Sequence, residues 1–287
     1  MTMTSPDFNK LVMELRAKTG AGMMDCKKAL TETNGDFDGA LTVLRKKGLS
    51  DAAKKSGRIT KEGVVSFAVV GNSGAIVEVN SETDFVARNE AFVQLGDELA
   101  QKYAKNEYKT VEDAKELVQP VFLKLSENMG LRRFERFELK GPGLIAGYAH
   151  KTDPKVGAKQ GALIEISAPN AEAAKSPELQ ALAKELLLQI VAAKPKYLRR
   201  EEVPAAEIEK EKEVYTELLR KEGKPEASFP KIIEGKINKL FYQQLCLLEM
   251  ISVREDKQPV ANIIKDTGAK VGGGVSVTRF ARYQLGE

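Results

Sequence analysis

The sequence has few of the residues on which most metal and enzyme chemistry depends. Its 287 residues contain one histidine, His150, two cysteines, Cys26 and Cys246, and no tryptophan. One histidine cannot form a histidine-based metal site, and two distant cysteines form neither a zinc site nor a disulfide framework. We therefore expect no bound metal, no cofactor, and a reducing compartment such as the cytoplasm.

Long apolar runs and complete nucleotide-binding patterns are also absent. The most apolar stretch, residues 186–193, is far too short to span a bilayer, and no basic segment followed by an apolar one opens the chain. The pattern Gly20-x-Gly22-x-x-Asp25 follows a predicted helix, and Gly141-x-Gly143-x-x-Ala146 leads into a predicted strand, which is the wrong context for a pyrophosphate site. These absences predict a soluble cytoplasmic protein that does not bind membranes and is not an enzyme.

Excess charge is small and unevenly distributed. The net charge is +4, while residues 1–61 hold twelve Lys or Arg against seven Asp or Glu. That basic segment allows an RNA-binding module, whose affinity would fall steeply with salt. It has no interleaved aromatic platform on which bases stack, and a basic domain can equally contact an acidic protein. We therefore expect a protein partner and no direct binding of nucleic acid.

Residues 1–55 predict an N-terminal domain of three short helices. The first starts at Ser5-Pro6 and places four apolar side chains on one face, namely Phe8, Leu11, Val12 and Leu15. The second covers residues 23–33, and the third covers residues 36–48 and ends at Gly48. The basic stretch 54–58 is interpreted as a linker. Such a bundle also allows a ubiquitin-type binding module, by fold analogy alone.

The remaining chain, residues 56–140 and 141–287, predicts two copies of one unit of hairpin, helix and closing strand. Four pairs of segments echo each other in the same order: the strand openings at Gly63 and Gly143, residues 74–79 and 161–166, the apolar helix positions 92–99 and 179–186, and residues 133–137 and 279–283. Short echoes arise by chance, but their shared order indicates duplication. We therefore expect two similar α/β subdomains with small antiparallel sheets.

The second copy is interrupted at about residues 198–245. Two helical patterns flank Gly223-Lys224-Pro225, with apolar faces formed by Ile208, Tyr215 and Leu218 on one side and by Ile233, Ile237, Leu240 and Phe241 on the other. This arrangement predicts an antiparallel helical hairpin that projects from the second subdomain. Its apolar seam allows packing within the chain or a homodimer formed through the hairpin.

The segment that follows the first hairpin differs from its counterpart. Residues 80–88 carry Phe85, whereas residues 167–172 of the second copy have no aromatic. Phe85 can be a buried staple, with Ser81 and Asp84 as helix caps, or an exposed wedge. Position alone favours the staple.

Two segments resemble the signatures of bacterial elongation factor Ts: Thr83-Asp84-Phe85-Val86-Ala87 and Thr19-Gly20-Ala21-Gly22-Met23-Met24-Asp25-Cys26-Lys27-Lys28-Ala29-Leu30. Both are long and occur in the family's order, and the similarity runs from about Phe8 to the end of the chain. The resemblance implies an α+β fold with an N-terminal ubiquitin-associated-like bundle, a core of two similar subdomains and a helical hairpin. It also implies a role in translation, as a guanine nucleotide exchange factor for the GTPase elongation factor Tu.

The resemblance further implies which residues contact the partner. Asp84 and Phe85 match the dipeptide that enters the GTPase near its magnesium, and Thr83 and Val86 complete the motif. Contact with the GTPase domain is likewise implied for Met23 and Met24, although ordinary core packing is the alternative, and we expect one of the two to be buried and one exposed. A partner contact is also implied for His150, for which the residues alone favour a structural or contact role over catalysis.

Overall fold

A computed structural model describes residues 6–152, 156–254 and 257–287. Within these residues the chain is a mixture of helices and two small antiparallel sheets, so the predicted α+β class is confirmed. The predicted helix start at Ser5 lies outside the described residues. None of the described helices combines the length and apolarity needed to cross a bilayer.

Three helices open the described chain: α1 (Pro6–Thr19), α2 (Met23–Glu32) and α3 (Phe37–Lys55). Their shared core contains the apolar residues that recur at helical spacing, including Phe8, Val12, Leu15, Cys26, Leu30 and Leu44. The three-helix prediction is therefore confirmed, with one error in the third helix.

The predicted stop of the third helix at Gly48 is wrong. Helix α3 continues through Gly48 to Lys55, so Lys54 and Lys55 belong to its last turn and not to a linker. Gly48 is buried where α3 packs on a later helix, and a Cβ at this position would collide with the side chain of Leu123. The glycine thus allows close helix packing, at a cost to helix propensity of about 1 kcal/mol.

The first subdomain follows the predicted order. Strands β1 (Glu62–Val70) and β2 (Ser73–Ser81) form a hairpin around Gly71-Asn72, and β3 (Met129–Glu138) pairs with the other edge of β2. Between β2 and β3 lie the short α4 (Asp84–Ala87), then α5 (Glu90–Ala104), which packs on the sheet, and α6 (Lys115–Leu125). Helix α6 was not predicted, and it contains Pro120.

The second subdomain repeats this plan. Strands β4 (Gly143–His150), β5 (Gln160–Ser167) and β6 (Ser276–Gln284) form a sheet with the same order, and α7 (Ala171–Ala174) and α8 (Pro177–Ala193) follow β5. The pairing register shifts between Glu78 and Val79 in β2, and between Glu165 and Ile166 in β5. Because these are echoed positions, the shared irregularity supports an internal duplication.

The two sheets pack face to face, so the central strands are buried on both sides. Every residue of β2 is buried: Val77 and its same-face neighbours lie in one cluster with residues of α5, while Ile76 lies with Leu163 of β5 in the cluster between the sheets. The layers are therefore α5, first sheet, second sheet and α8. Burial on both faces explains why β2, unlike β1, has no exposed residue, and why its charged Glu78 needs a partner inside the fold.

Buried ion pairs join the sheets reciprocally. In the first sheet, Arg133 Nε donates to Glu78 at 2.7 Å, and its guanidinium lies 4.3 Å from the ring centroid of Tyr283 in the second sheet. In the second sheet, Arg279 Nε donates to Glu165 at 2.8 Å, and its guanidinium lies 4.2 Å from the ring of Phe137 in the first sheet. Each sheet thus contains one ion pair, and the arginine of that pair stacks on an aromatic ring of the other sheet. These contacts fix the two subdomains relative to each other.

The predicted helical hairpin is confirmed. Helix α9 (Ala205–Lys221) is followed by α10 (Phe229–Lys236), a π-helical turn (Ile237–Phe241) and α11 (Tyr242–Leu245), and then α12 (Val260–Lys270) leads to β6. The seam is closed within the chain by Ile208, Tyr215, Ile233, Ile237 and Phe241, among others. Leu218 and Leu240, which the pattern also assigned to the seam, are 41% and 45% exposed.

Candidate partner-binding site

Helix α4 is a single turn whose orientation is fixed at its N-terminal end. Thr83 caps it, because its hydroxyl accepts the Val86 amide at 3.4 Å. The same hydroxyl donates to the carboxylate of Glu127 at 2.9 Å, and the Thr83 amide donates to that carboxylate at 3.2 Å. Val86 and Ala87 are buried in the core of the first subdomain, which anchors the inner face of the turn.

Phe85 lies on the outer face of this turn and is 83% exposed. The interpretation of Phe85 as a buried staple is therefore wrong, because Val86 and Ala87 already occupy the inner face of α4. The capping assignment was also wrong: Thr83 is the cap, while Ser81 donates to the Thr83 carbonyl and Asp84 is the first helical residue. An aromatic side chain held in water on a fixed support has a large apolar area left to bury.

The second copy contains the same turn without the aromatic. Helix α7 lies at the equivalent position, with Asn170 as its cap and Ala173 and Ala174 buried. Counting from the echoed strands, the residues equivalent to Asp84 and Phe85 are Ala171 and Glu172, which are both exposed. The backbone of the motif is therefore duplicated scaffold, and what distinguishes the first copy is the exposed Asp-Phe dipeptide.

Asp84 and His150 line one cleft between the subdomains, with a volume of about 540 Å³. The Asp84 carboxylate is half exposed and lies 3.4 Å from the Arg88 guanidinium. His150 is the last residue of β4, and its Nδ1 is 2.9 Å from the Tyr148 hydroxyl. The structure thus brings these two predicted site residues together, although they lie far apart in the sequence.

Met23 and Met24 occupy the first turn of α2 and are 38% and 62% exposed. The expectation that one of them is buried was wrong, since Cys26, Ala29 and Leu30 fill the inner face of this helix. Two exposed, flexible thioethers are suited to an adaptable protein contact. They lie on the N-terminal domain and are not among the residues that line the cleft.

Sequence reasoning missed Glu127 and Glu82 at this site. Glu82 accepts the Asn128 amide at 2.6 Å and an Arg58 guanidinium hydrogen bond at 3.2 Å. These two donors, the Asn128 amide first, lower the pKa of Glu82 below its ordinary value, so it is ionised at neutral pH. Residues 82–83 and 127–128 come together through the pairing of β2 with β3, so a local sequence pattern does not predict their contact.

Comparisons with known proteins agree with the resemblance noted from the two motifs. A family model described as "Elongation factor TS" matches residues 82–287. The chain is 45% identical over 284 residues to "Elongation factor Ts" of Symbiobacterium thermophilum, covering 97% of this chain and 91% of that protein. It is 43% identical over 291 residues to the protein of the same name from Clostridium botulinum strain Alaska E43, with 97% and 92% covered. For the protein of that name from a Nitratiruptor species the identity is 41% over 288 residues, with 96% and 92% covered.

Proposed function

The chain belongs to the elongation factor Ts family, and we propose on that basis that it is the guanine nucleotide exchange factor of elongation factor Tu. In this proposal it binds the GDP form of the GTPase, displaces magnesium and promotes GDP release, so that GTP can bind. The observation that carries the proposal is Phe85, a fixed and 83% exposed aromatic where the duplicated copy has Glu172.

Exchange of this kind follows from thermodynamic linkage. A factor that binds the nucleotide-free GTPase more tightly than its GDP form must weaken GDP binding by the same ratio. A coupling of about 3 kcal/mol already gives a ratio on the order of 100. The protein therefore needs no covalent chemistry, only contacts that are better made when GDP and its magnesium are absent.

Phe85 is suited to provide such a contact. Complete burial of a phenylalanine side chain contributes about 1.5–3 kcal/mol, and an aromatic at the centre of an interface commonly contributes about 2 kcal/mol or more. Because α4 is anchored by Val86 and Ala87, insertion of Phe85 costs little loss of local freedom. Most of its burial energy is thus available to favour the nucleotide-free state.

Asp84 adds a charge beside the aromatic. Its ion pair with Arg88 is exposed and of the i, i+4 type, so separating the two costs less than about 1 kcal/mol. The carboxylate is then free to contact the magnesium region of the partner. Loss of magnesium leaves the phosphates of GDP without their neutralising cation, which weakens nucleotide binding.

Met23, Met24 and His150 would extend the contact to both sides of the wedge. The two methionines lie on the N-terminal domain, and His150 lies across the cleft from Asp84. In this assignment they contribute affinity for the partner, whereas Asp84 and Phe85 contribute the preference for its nucleotide-free state. Thr83 and Val86 hold the wedge in place from below.

The proposal is tested by stopped-flow release of a fluorescent GDP analogue from elongation factor Tu. Wild-type protein should accelerate release saturably, and added magnesium should oppose the effect. We expect Phe85→Ala to slow stimulated release by about 30-fold, the ratio that about 2 kcal/mol of lost anchor energy gives. Glu172→Ala, at the equivalent exposed position of the second copy, is the matched control and should retain wild-type activity.

Two results would contradict the proposal. No acceleration by wild-type protein, with magnesium chelation releasing GDP normally from the same GTPase, would reject exchange activity and direct attention to RNA binding by the basic N-terminal segment. If Phe85→Ala and Glu172→Ala are equally active, the protein still acts as an exchange factor, but Phe85 is not the residue that inserts into the GTPase. Because Phe85 is exposed, both variants should unfold within about 0.5 kcal/mol of wild type.

A further inference from the structure

The turn that carries Phe85 is fastened to a neighbouring loop by two carboxylates in a reciprocal arrangement. Glu127 accepts hydrogen bonds from the Thr83 amide and hydroxyl, while Glu82 accepts the amide of Asn128. Each segment therefore supplies one carboxylate and receives the other. Hydrogen bonds to charged acceptors are shorter and stronger than neutral ones, so this pairing is well suited to hold two loops in register.

The second copy shows that the duplicated turn does not need this fastening in order to fold. Counting from the paired strands, the residues equivalent to Glu82 and Glu127 are Pro169 and Gly273, and neither has a carboxylate. Helix α7 nevertheless forms, with Asn170 accepting the Ala173 amide at 2.8 Å. The two carboxylates thus occur only in the copy whose turn presents an exposed aromatic.

We propose that Glu82 and Glu127 form a carboxylate latch whose role is to position Phe85 for nucleotide exchange. The inference rests on the proposed function and adds two positioning residues to it. Neither needs to touch the partner, because Glu127 acts through Thr83, two residues before Phe85 in the same turn. An error of about 1 Å in the placement of a functional group can cost on the order of 100-fold in rate.

The latch also reaches the end of the N-terminal domain. The Asn128 side chain donates to the Arg58 carbonyl at 2.9 Å, Lys55 donates to the Ser126 carbonyl at 2.6 Å, and the Arg58 guanidinium contacts Glu82 at 3.2 Å. The loop 126–128 therefore contacts both α4 and the segment that leaves α3. Through this loop, the latch holds the turn that carries Phe85 against the segment after α3. That segment links the N-terminal domain, which carries Met23 and Met24, to the first subdomain.

The first arm of the test needs no partner. In Glu127→Ala, amide hydrogen exchange at Thr83 and Val86 should become about tenfold faster or more, the loss expected for hydrogen bonds to a charged group. Glu112→Ala is the control, since the Glu112 side chain is 71% exposed and forms its ion pair with Lys115, three residues further along the chain. Amides of β2 should be unchanged in both variants, which checks that the subdomain is folded. Unchanged exchange at Thr83 and Val86 would overturn the latch.

The second arm is a double-mutant cycle on stimulated GDP release. Glu127→Ala should slow release about tenfold in the wild-type background and have no further effect in the Phe85→Ala background. Equal losses in both backgrounds would show that Glu127 does not act through Phe85, which overturns the positioning role. Failure of wild-type protein to release GDP would instead reject the proposed function, and the hydrogen-exchange arm would still decide whether the latch exists.

Discussion

Replacing Arg279 with methionine should destabilise the protein through the contact between its two sheets. Methionine preserves much of the packing on Phe137 but removes the guanidinium that binds Glu165 through Nε at 2.8 Å and Nη2 at 2.7 Å. The Glu165 side chain is only 10% exposed, so the variant leaves a buried carboxylate without this partner. That is the costly way to break a buried ion pair.

The expected loss can be worked out from these contacts. Removing one partner of a buried pair costs about 3–5 kcal/mol, and the lost stacking on an aromatic ring adds roughly 0.5–1 kcal/mol. The Arg279 side chain is itself 43% exposed, so water can partly replace it. We therefore expect the lower end, about 3 kcal/mol, which corresponds to a fall in melting temperature of about 5 °C for a chain of 287 residues.

Thermal and urea unfolding followed by circular dichroism measure this loss. Arg199→Met is the matched control, because the ion pair of Arg199 with Glu202 is exposed and should be worth less than about 1 kcal/mol. The double variant Glu165→Gln/Arg279→Met should recover at least half of the loss, since the unpaired charge is then gone. If Arg279→Met unfolds like Arg199→Met, or if the double variant is as unstable as the single one, the ion pair with Glu165 does not stabilise the contact between the sheets.

Two further predictions follow from positions elsewhere in the fold. Gly63→Ala should destabilise the first subdomain by about 3 kcal/mol in urea unfolding, because its Cβ would collide with the carbonyl oxygen of Val79 in the central strand; stability equal to wild type would mean that the backbone yields. Met23→Ala/Met24→Ala should leave the melting temperature unchanged but raise the concentration of protein needed for half-maximal GDP release, and an unchanged concentration would remove both residues from the proposed contact.

The sequence predicted elements best where packing and periodicity agree. The three N-terminal helices, both hairpins, the closing strands and the helical hairpin follow apolar spacing that the structure buries. The echo of Gly63 by Gly143 also has a physical reason. At both positions a Cβ would meet the carbonyl oxygen of an equivalent residue of the central strand, Val79 or Ile166, so duplication preserved a steric requirement.

Where prediction failed, a tertiary contact outweighed a local signal. Gly48 reads as a helix stop but is required for close packing against Leu123. Pro120 argues against a helix, yet it lies in α6, the helix that the sequence pattern did not predict. The position of Phe85 between the hairpin and the next helix favoured a buried staple, and only the structure shows that Val86 and Ala87 occupy the inner face of its turn.

The candidate site was only partly accessible from sequence. The dipeptide Asp84-Phe85 could be identified because the motif resembles a known family and because the second copy lacks it. The latch residue Glu127 could not, because it is 44 positions from Thr83 and the two meet only through strand pairing. The cleft shared by Asp84 and His150 is likewise a product of sheet packing.

In the proposed mechanism, Phe85 makes the protein prefer the nucleotide-free GTPase. The most direct test is to measure the dissociation constants of wild-type protein and Phe85→Ala for elongation factor Tu, both nucleotide-free and saturated with GDP. We expect wild-type protein to bind the nucleotide-free form about 100-fold more tightly, and Phe85→Ala to lose most of this ratio while its affinity for the GDP form changes little. An equal ratio for the two proteins would mean that Phe85 does not provide this preference.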